Sequence, residues 1–433
     1  GSELFDDVEL ILQTVETVIY GDIYNILLND LEIDYVGITP DVKAILNNIL
    51  GMAYLNDKIV YVYDYFALMG IDNNYIDFDS FDFVNDATLL GDAYEQIAPL
   101  LDAKFNPYQK LSDLAIQGLP FNLAGAKEEL FIEAINGLKL VTDATIIKNN
   151  IPSIIVALQN SFATIPDSAI TPLLQEAVDL PLANNEYKNT TQIIHDDINT
   201  MLDLMIYELE AGIFDMLSDP EGYDINKSII PAEIEIFKAI LNLRYLTELK
   251  GQDILEEIFK VLSIDERLDF ETLTYNHEIT VIENILDYFP DILSQTGCIS
   301  YVDYMNLYSS FMQGTLDLSK FITQENFTTL IDILDCLLVS EINKQAVIPF
   351  YQTHIYPAYE STNNQGIIDL FNIDETIYTN DNYISDYESI VIMLRELDMA
   401  GIFGILFNDE EINYDNVDVV ETVIRTILES NIF

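Results

Sequence analysis

The tripeptide His195-Asp196-Asp197 is the segment of this chain whose residue types most clearly suggest chemistry. An imidazole beside two carboxylates offers the nitrogen and oxygen ligands that several divalent metals accept. The other two histidines of the chain, His277 and His354, are distant in sequence and add no second ligand nearby. Aspartates also suit the first turn of a helix, where the helix dipole favours negative charge. We therefore expect Asp196 and Asp197 to begin a helix, with no metal bound.

Two acidic segments, 72–79 and 219–224, offer oxygen ligands at short spacing, as calcium sites do. Neither segment has the alternating acids, central glycine and terminal glutamate of an EF-hand loop. We expect solvated loops with, at most, low-affinity binding of calcium or magnesium. The candidate ligands are Asp72, Asn74, Asp77, Asp79, Asp219, Glu221 and Asp224.

The sequence lacks the other motifs that carry catalysis or bind a cofactor. It has no nucleophile elbow, phosphate-binding loop, dinucleotide fingerprint or cysteine–histidine pair. Its two cysteines, Cys298 and Cys336, are too few for a disulfide framework. We expect two buried thiols, and a single incidental bond between them is the alternative. The sequence therefore predicts no catalytic residue and no cofactor-binding residue.

The composition is strongly acidic and yet rich in core-forming residues. The 74 acids and 18 bases give a net charge of −56, while 50% of the residues are hydrophobic and 11% aromatic. Disordered acidic chains lack such apolar content, so we expect an ordered fold. Only four residues are arginine, which argues against binding nucleic acid or anionic lipid. The sequence also predicts no transmembrane segment, because no run of eighteen apolar residues occurs.

Apolar residues recur at the spacing of amphipathic helices through most of the chain. In residues 8–19 they occupy positions i, i+3, i+4 and i+7, and the pattern returns in residues 198–209 and 390–397. This spacing predicts an all-α fold. Acids, prolines and capping residues mark helix starts near Asp7, Asp41, Asp86, Lys127, Asp197, Ala232, Glu278 and Glu325.

The chain also repeats itself with a period of about 190 residues. A segment with Ile23 near its start returns at Ile213, 190 positions on, and again at Ile402, a further 189 positions on. A long fixed period indicates tandem duplication. Turn-forming residues recur with it and define the structural repeat: Gly21, Gly212, Gly401, Pro40, Pro231, Pro99 and Pro290.

The period divides the chain into a first copy at 1–190, a second at 191–380 and the first part of a third at 381–433. The phase is arbitrary, and units of about 40–230 and 231–416 fit equally well. We expect tandem helical domains with about seven to nine helices in each copy. Helix starts spaced by about 34 to 47 residues also resemble the helical-hairpin sub-repeats of a solenoid-like array. The copies diverge most in residues 103–160.

The aligned copies share apolar helix faces and turn residues, whereas the histidines and cysteines have no counterpart in the first copy. Because copies of one catalytic site would share its polar residues, we expect no enzyme. We expect a structural or adhesive segment of a larger repetitive protein, secreted or on the cell surface. Its role would be that of a spacer, filament or layer component, or of a scaffold that binds a protein, a glycan or copies of itself. Self-assembly would depend on cations that screen the acidic surface.

Two alternatives belong to other classes of function. One is an acidic decoy that binds a basic protein, which requires the acids to be concentrated in a stripe. The other is an enzyme with its site in the divergent residues 103–160. A deep pocket lined by convergent polar groups in that region would favour the enzyme.

Overall fold

Helices form the regular structure of the chain, as the apolar spacing predicts. No strand occurs among the residues that the computed structural model describes. These residues are 2–21, 23, 34–54, 57–60, 76, 78–102, 128–162, 171–182, 186–313, 323–357, 378–399, 401 and 417–429.

The helices belong to two compact units. The first unit contains Gly1–Gly222 and Leu243–Lys250. Its helices are Ser2–Tyr20 (α1), Thr39–Leu50 (α2), Phe83–Asp102 (α3), Glu128–Asp143 (α4), Thr145–Lys148 (α5), Ile151–Phe162 (α6), Thr171–Val178 (α7), Glu186–Glu210 (α8) and Ile213–Ser218 (α9), with a π-helical turn at Tyr245–Lys250.

The second unit contains Tyr223–Asn242 and Gly251–Phe433. Its helices are Ile229–Leu241 (α10), Gly251–Val261 (α11), Tyr275–Leu286 (α12), Phe289–Gln295 (α13), Tyr301–Met312 (α14), Gln324–Leu337 (α15), Glu341–Phe350 (α16), Asn380–Met399 (α17) and Val417–Glu429 (α18), with a π-helical turn at Tyr351–Ile355.

Within each unit, helices pack in pairs, some of them adjacent in sequence and others separated by intervening helices. In the first unit α1 packs on α2, α2 on α3, α3 on α4, and α4 on α8. In the second unit α10 packs on α12, α12 on α15, and α15 and α16 on α17. This order follows from amphipathic helices, each of which must bury its apolar stripe against another element.

Buried apolar side chains form separate clusters along these helix contacts. The first cluster joins the end of α2 to the start of α3 through Leu50, Phe83 and Ala87. The second joins α6 to residues 180–182, and Ile194 of α8 packs against it. The third cluster lies in the second unit and contains Phe259, Ile264, Leu273 and Ala346. The cores are thus local to each helix group.

Tyrosines reinforce the contacts between helices. The Tyr275 hydroxyl donates to the backbone carbonyl of Leu241 at 3.0 Å, and the Tyr387 hydroxyl donates to that of Leu334 at 2.9 Å. Burial raises the pKa of both tyrosines to about 12. Each ring therefore packs between two helices while its hydroxyl satisfies a carbonyl of the neighbouring helix.

Most of the helix starts were predicted within about three residues, but those near Asp7 and Asp197 were wrong. Helix α1 begins at Ser2 and α8 at Glu186, so both aspartates lie inside helices. The tripeptide with His195 is therefore not a helix cap. Each aspartate binds backbone N–H groups of another segment instead of those of its own first turn.

The repeated glycines meet different local requirements. Gly212 has φ of 95° and Gly401 has φ of 71°, backbone conformations that favour glycine at the end of a helix. Gly21 is not in that conformation. A methyl group there would contact the Asp41 carboxylate and the Thr17 carbonyl oxygen, so the position requires a small residue.

The repeated prolines also differ in detail. Pro40 and Pro231 both lie in the first turn of a helix, as predicted, since a first turn needs no proline N–H. Pro99 lies inside α3, whereas Pro290 lies at the start of α13, two residues after Tyr288. A continuous helix in the first unit thus corresponds to two shorter helices in the second.

Candidate functional site

His195 lies at a contact between two helices of the first unit. The residue is 7% exposed, and its Nε2 lies 3.0 Å from Oδ1 of Asp143 at the end of α4. Asn199, one turn further along α8, donates to the same oxygen at 3.3 Å. The Thr142 hydroxyl lies 2.8 Å from Asn199 Oδ1 and 2.7 Å from the Lys139 carbonyl oxygen. These contacts therefore hold α4 against α8, and the Thr142 hydroxyl already has hydrogen-bond partners within the fold.

The two aspartates beside His195 bind the segment that forms the π-helical turn. Asp196 Oδ2 pairs with Arg244 Nη1 at 2.7 Å. Asp197 is 8% exposed and accepts the backbone N–H groups of Arg244 and Tyr245 at 3.0 and 2.6 Å. Within the described ranges, no group of three or more His, Cys, Asp or Glu side chains is arranged to hold a metal ion.

The candidate calcium ligands are only partly described. Asp72, Asn74 and Asp77 lie outside the described residues. Asp79 lies in the 3-10 turn Phe78–Ser80, and both Asp79 and Glu221 are exposed. Low-affinity binding of calcium or magnesium through this first segment stays a prediction.

The remaining candidates shape local turns. Asp219 Oδ1 accepts the backbone N–H of Gly222 at 3.1 Å in the first unit. In the second unit, Asp224 accepts the backbone N–H of Asn226 at 3.2 Å and pairs with Lys227 at 3.1 Å. Each of these carboxylates therefore has a structural partner within its own turn.

An apolar cavity of about 400 Å³ opens in the first unit between α6, α7 and α8. Ile154, Leu158 and Ile198 lie on its wall, and Tyr245 is the polar residue of its lining. The Tyr245 hydroxyl donates to the backbone carbonyl of Ala177. Part of the cavity wall belongs to the divergent residues 103–160, in which an enzyme site was the alternative. The part of this wall that comes from residues 128–160 is apolar, whereas Thr142 and Asp143 of the same region belong to the polar cluster around His195.

Two aspartates separated by one repeat period hold the backbone in the same way. Asp7 of α1 is 4% exposed and accepts the backbone N–H groups of Ala53 and Tyr54, both at 2.8 Å. Asp197 of α8 accepts those of Arg244 and Tyr245. The aspartates are 190 positions apart and the N–H groups 191. We term this arrangement, a buried carboxylate that binds two successive N–H groups of a distant segment, a carboxylate clamp.

A second pair of carboxylate clamps joins later helices. Asp86 of α3 is fully buried and accepts the backbone N–H groups of Thr145 and Ile146 at 2.6 and 2.9 Å. Glu278 of α12 accepts those of Glu341 and Ile342 at 2.7 and 3.4 Å. Both acids lie in the first turn of a helix, 192 positions apart, and both hold the start of a later helix. A hydroxyl group also donates to each carboxylate.

A lysine–aspartate pair recurs at the surface of both units. Lys43 Nζ lies 2.8 Å from Asp92, and Lys238 Nζ pairs with Asp287; the partners are 49 positions apart in each case. The hydrogen bond to Asp92 raises the pKa of Lys43, and the bond to Asp287 raises that of Lys238. All of these groups are partly solvated, so their contribution to stability is small.

This pair carries a sequence signal that the repeat alignment missed. The pentapeptide Lys-Ala-Ile-Leu-Asn occurs at 43–47 and again at 238–242, 195 positions apart. In both places the asparagine side chain donates to the lysine carbonyl oxygen at 2.9 Å. This offset of 195 exceeds the 191 of the neighbouring matches by four residues. Four residues are about one helical turn. A comparison that allows one-turn insertions would have found it.

The cysteines are free thiols; Cys298 is buried as expected, whereas Cys336 is only partly buried. Cys298 is 4% exposed, and burial raises its pKa to about 11, so about one thiol in a thousand is ionised at pH 8. Burial also raises the pKa of Cys336.

We expect both thiols of the folded chain to react slowly with Ellman's reagent at pH 8. In urea the unfolded chain should release two equivalents of thionitrobenzoate at once. A Tyr20→Cys variant, at an 83% exposed position, provides the fast-reacting control. Rapid reaction of a native thiol in the folded chain would contradict the expectation.

No protein-family model, curated protein or solved structure matches this chain. Among the helices in the described part of the chain, none combines the length and the apolar character needed to cross a bilayer.

Proposed function

We propose that this chain is a non-catalytic structural segment built from tandem copies of a helical unit of about 190 residues. It would act as a spacer or scaffold within a larger, highly acidic repetitive protein that is secreted or lies on the cell surface. Its partner would be a protein, a glycan or another copy of the same protein.

The carboxylate clamps are the observation that carries this proposal. Asp7 and Asp197 hold backbone segments at equivalent positions, and Asp86 and Glu278 hold equivalent helix starts. A buried charged group is costly unless it is hydrogen-bonded, so its repetition at a fixed period is unexpected for unrelated helices. What equivalent positions share is thus a way of joining helices. His195, the group most suited to catalysis, has Phe5 near its position in the first copy.

The charge supports a role outside nucleic-acid or anionic-membrane binding. A net charge of −56 repels other acidic surfaces and keeps an extended array soluble. Divalent cations would screen this repulsion between neighbouring chains, which makes assembly dependent on calcium, magnesium or salt.

Duplication of one copy tests the spacer function. Two variants are made, with one or two extra copies of residues 191–380 inserted after position 380. The maximum dimension of each chain is measured by small-angle X-ray scattering in 0.3 M salt. A spacer array lengthens by the same increment with each copy. A chain that instead forms one compact body grows only by about 15% in radius of gyration from 433 to 623 residues (433 + 190). That smaller growth would reject the spacer, and sedimentation velocity controls for association.

A further inference from the structure

Helix α1 exposes an unusually apolar face. Leu4, Phe5 and Leu12 are 63%, 77% and 62% exposed, and Ile19 is 51% exposed. These residues lie at spacings that place them along one broad side of the helix. The described element on which α1 packs most is α2. Contiguous exposed apolar residues of this kind mark a surface that binds another element.

Helix α8 shows what covers the same face one period later. Position 4 corresponds to Ile194, position 5 to His195 and position 19 to Leu209, at an offset of 190. His195 and Leu209 are each 7% exposed, and Ile194 packs against the cluster of α6 and residues 180–182. Lys139 of α4 also pairs with Asp203 of α8 at 2.5 Å. Helices α4 and α6 therefore cover part of the face that α1 exposes. Leu202, the counterpart of Leu12, is half-buried, whereas Met205, the counterpart of Val15, is 48% exposed.

Helix α17 shows the same arrangement in the second unit. Val391, 379 positions after Leu12, is 1% exposed. The Tyr387 hydroxyl donates to a carbonyl of α15, and the Tyr383 hydroxyl donates to Asn343 Oδ1 of α16 at 2.8 Å. Two helices that precede α17 thus cover it, as α4 and α6 cover α8.

We propose that the apolar face of α1 is an interface for another copy of the repeat, joined on the N-terminal side of α1, whose helices equivalent to α4 and α6 pack upon it. The inference rests on the tandem repeat in the proposed function, and it identifies the adjacent copy of the repeat as the partner of α1. The covering helices precede the covered helix in both internal examples, which selects a copy on this side. A second molecule of this chain fits less well, because its own α4 and α6 already cover α8 and both molecules carry a charge of −56.

An extended chain tests this interface. Residues 2–191 are joined directly to Ser2, so that the start of α8 continues in register into α1. Phe5→His is included, because the Asp143 of the added copy would then meet the imidazole that it meets at His195. Leu12→Cys reports on the interface, in a background with Cys298→Ala and Cys336→Ala. The rate of maleimide labelling is measured with and without the extension, the parent chain carrying the same substitutions.

We expect labelling of Leu12→Cys to slow by at least about tenfold in the extended chain. Val15→Cys is the matched control, because position 15 is 46% exposed and its equivalent Met205 is 48% exposed. Its labelling rate should change by less than about twofold. A second extension, residues 191–380 joined to Ser2, guards against misfolding of the first.

Unchanged labelling of Leu12→Cys in both extended chains overturns the inference, since two different added copies would then both leave the face of α1 exposed. The inference is also overturned if labelling of the unextended chain slows as the protein concentration rises. A second molecule of the same chain would then cover the face of α1. The outcome is separate from that of the spacer test. Internal copies can lengthen the chain at fixed increments while α1 stays exposed, and the inference alone would then fail.

Discussion

Replacing Asp86 with asparagine is expected to lower the free energy of unfolding of the first unit by about 3–5 kcal/mol. The carboxylate is fully buried and accepts the backbone N–H groups of Thr145 and Ile146 and the Thr145 hydroxyl, at 2.6, 2.9 and 2.7 Å. Hydrogen bonds to a charged group contribute about 1.5–3 kcal/mol each. Asparagine has the same shape but only one acceptor oxygen, and its NH₂ group would face a donor. Urea unfolding at pH 7, followed by circular dichroism, measures the loss.

Asp92→Asn is the control for this prediction. Asp92 lies on the same helix, its side chain is 49% exposed, and its bond to Lys43 is a surface ion pair. Such pairs contribute about 0–1 kcal/mol, so the control should unfold almost as the parent does. Equal effects of the two substitutions would show that the helix, and not the carboxylate clamp, determines the loss.

Glu278→Gln extends the test to the second unit. Glu278 is 4% exposed and binds two backbone N–H groups and the Ser340 hydroxyl, the last at 2.7 Å. If the two clamps are equivalent, this substitution destabilises the second unit by a similar amount and leaves the first unchanged. A loss below about 1 kcal/mol would argue against their equivalence.

The helical class and most helix positions could be predicted because they depend on local chemistry. Periodic apolar residues predict the helices, although those of α1 lie on an exposed face. Thr323 caps α15, as its place before Gln324 and Glu325 indicates. The all-α prediction is confirmed in the described residues. The division into tandem domains stays a prediction, since similar hydrogen bonds at equivalent positions support a repeat without establishing domain limits.

The roles of the buried acids could not be predicted, because they depend on contacts between distant segments. An aspartate in an amphipathic pattern reads as a solvated residue or a cap, and nothing local distinguishes Asp7 or Asp197 from exposed Asp203. A carboxylate clamp can be recognised in the sequence only from two features together. The acid recurs at the repeat period, and so does the segment 46–48 positions after it that supplies the N–H groups. His195 likewise fits the pattern of a cap, although its partner Asp143 is 52 positions away.

Raising NaCl from 10 to 300 mM is expected to raise the melting temperature by about 5 °C. This shift corresponds to a gain of about 2 kcal/mol in the free energy of unfolding of a unit of 150–250 residues. Salt shortens the screening length from about 30 Å to about 6 Å. It thereby weakens repulsion among 74 acids and also the attraction of pairs such as Lys139–Asp203. Only 18 bases are available for attraction, and exposed pairs contribute about 1 kcal/mol at most, so repulsion decides the sign.

Divalent cations separate this screening from a dedicated site. If binding is diffuse, CaCl₂ and MgCl₂ stabilise the chain equally at equal millimolar concentration, and the effect disappears in 300 mM NaCl because the surface is already screened. A cage of carboxylates in segment 72–79 or 219–224 would instead respond to calcium at much lower concentration and keep that preference in salt. Sucrose at matched osmolality controls for excluded-solute effects. A melting temperature that falls with NaCl would mean that the few ion pairs outweigh the acidic excess, and the solubility argument for the acidic surface would then fail.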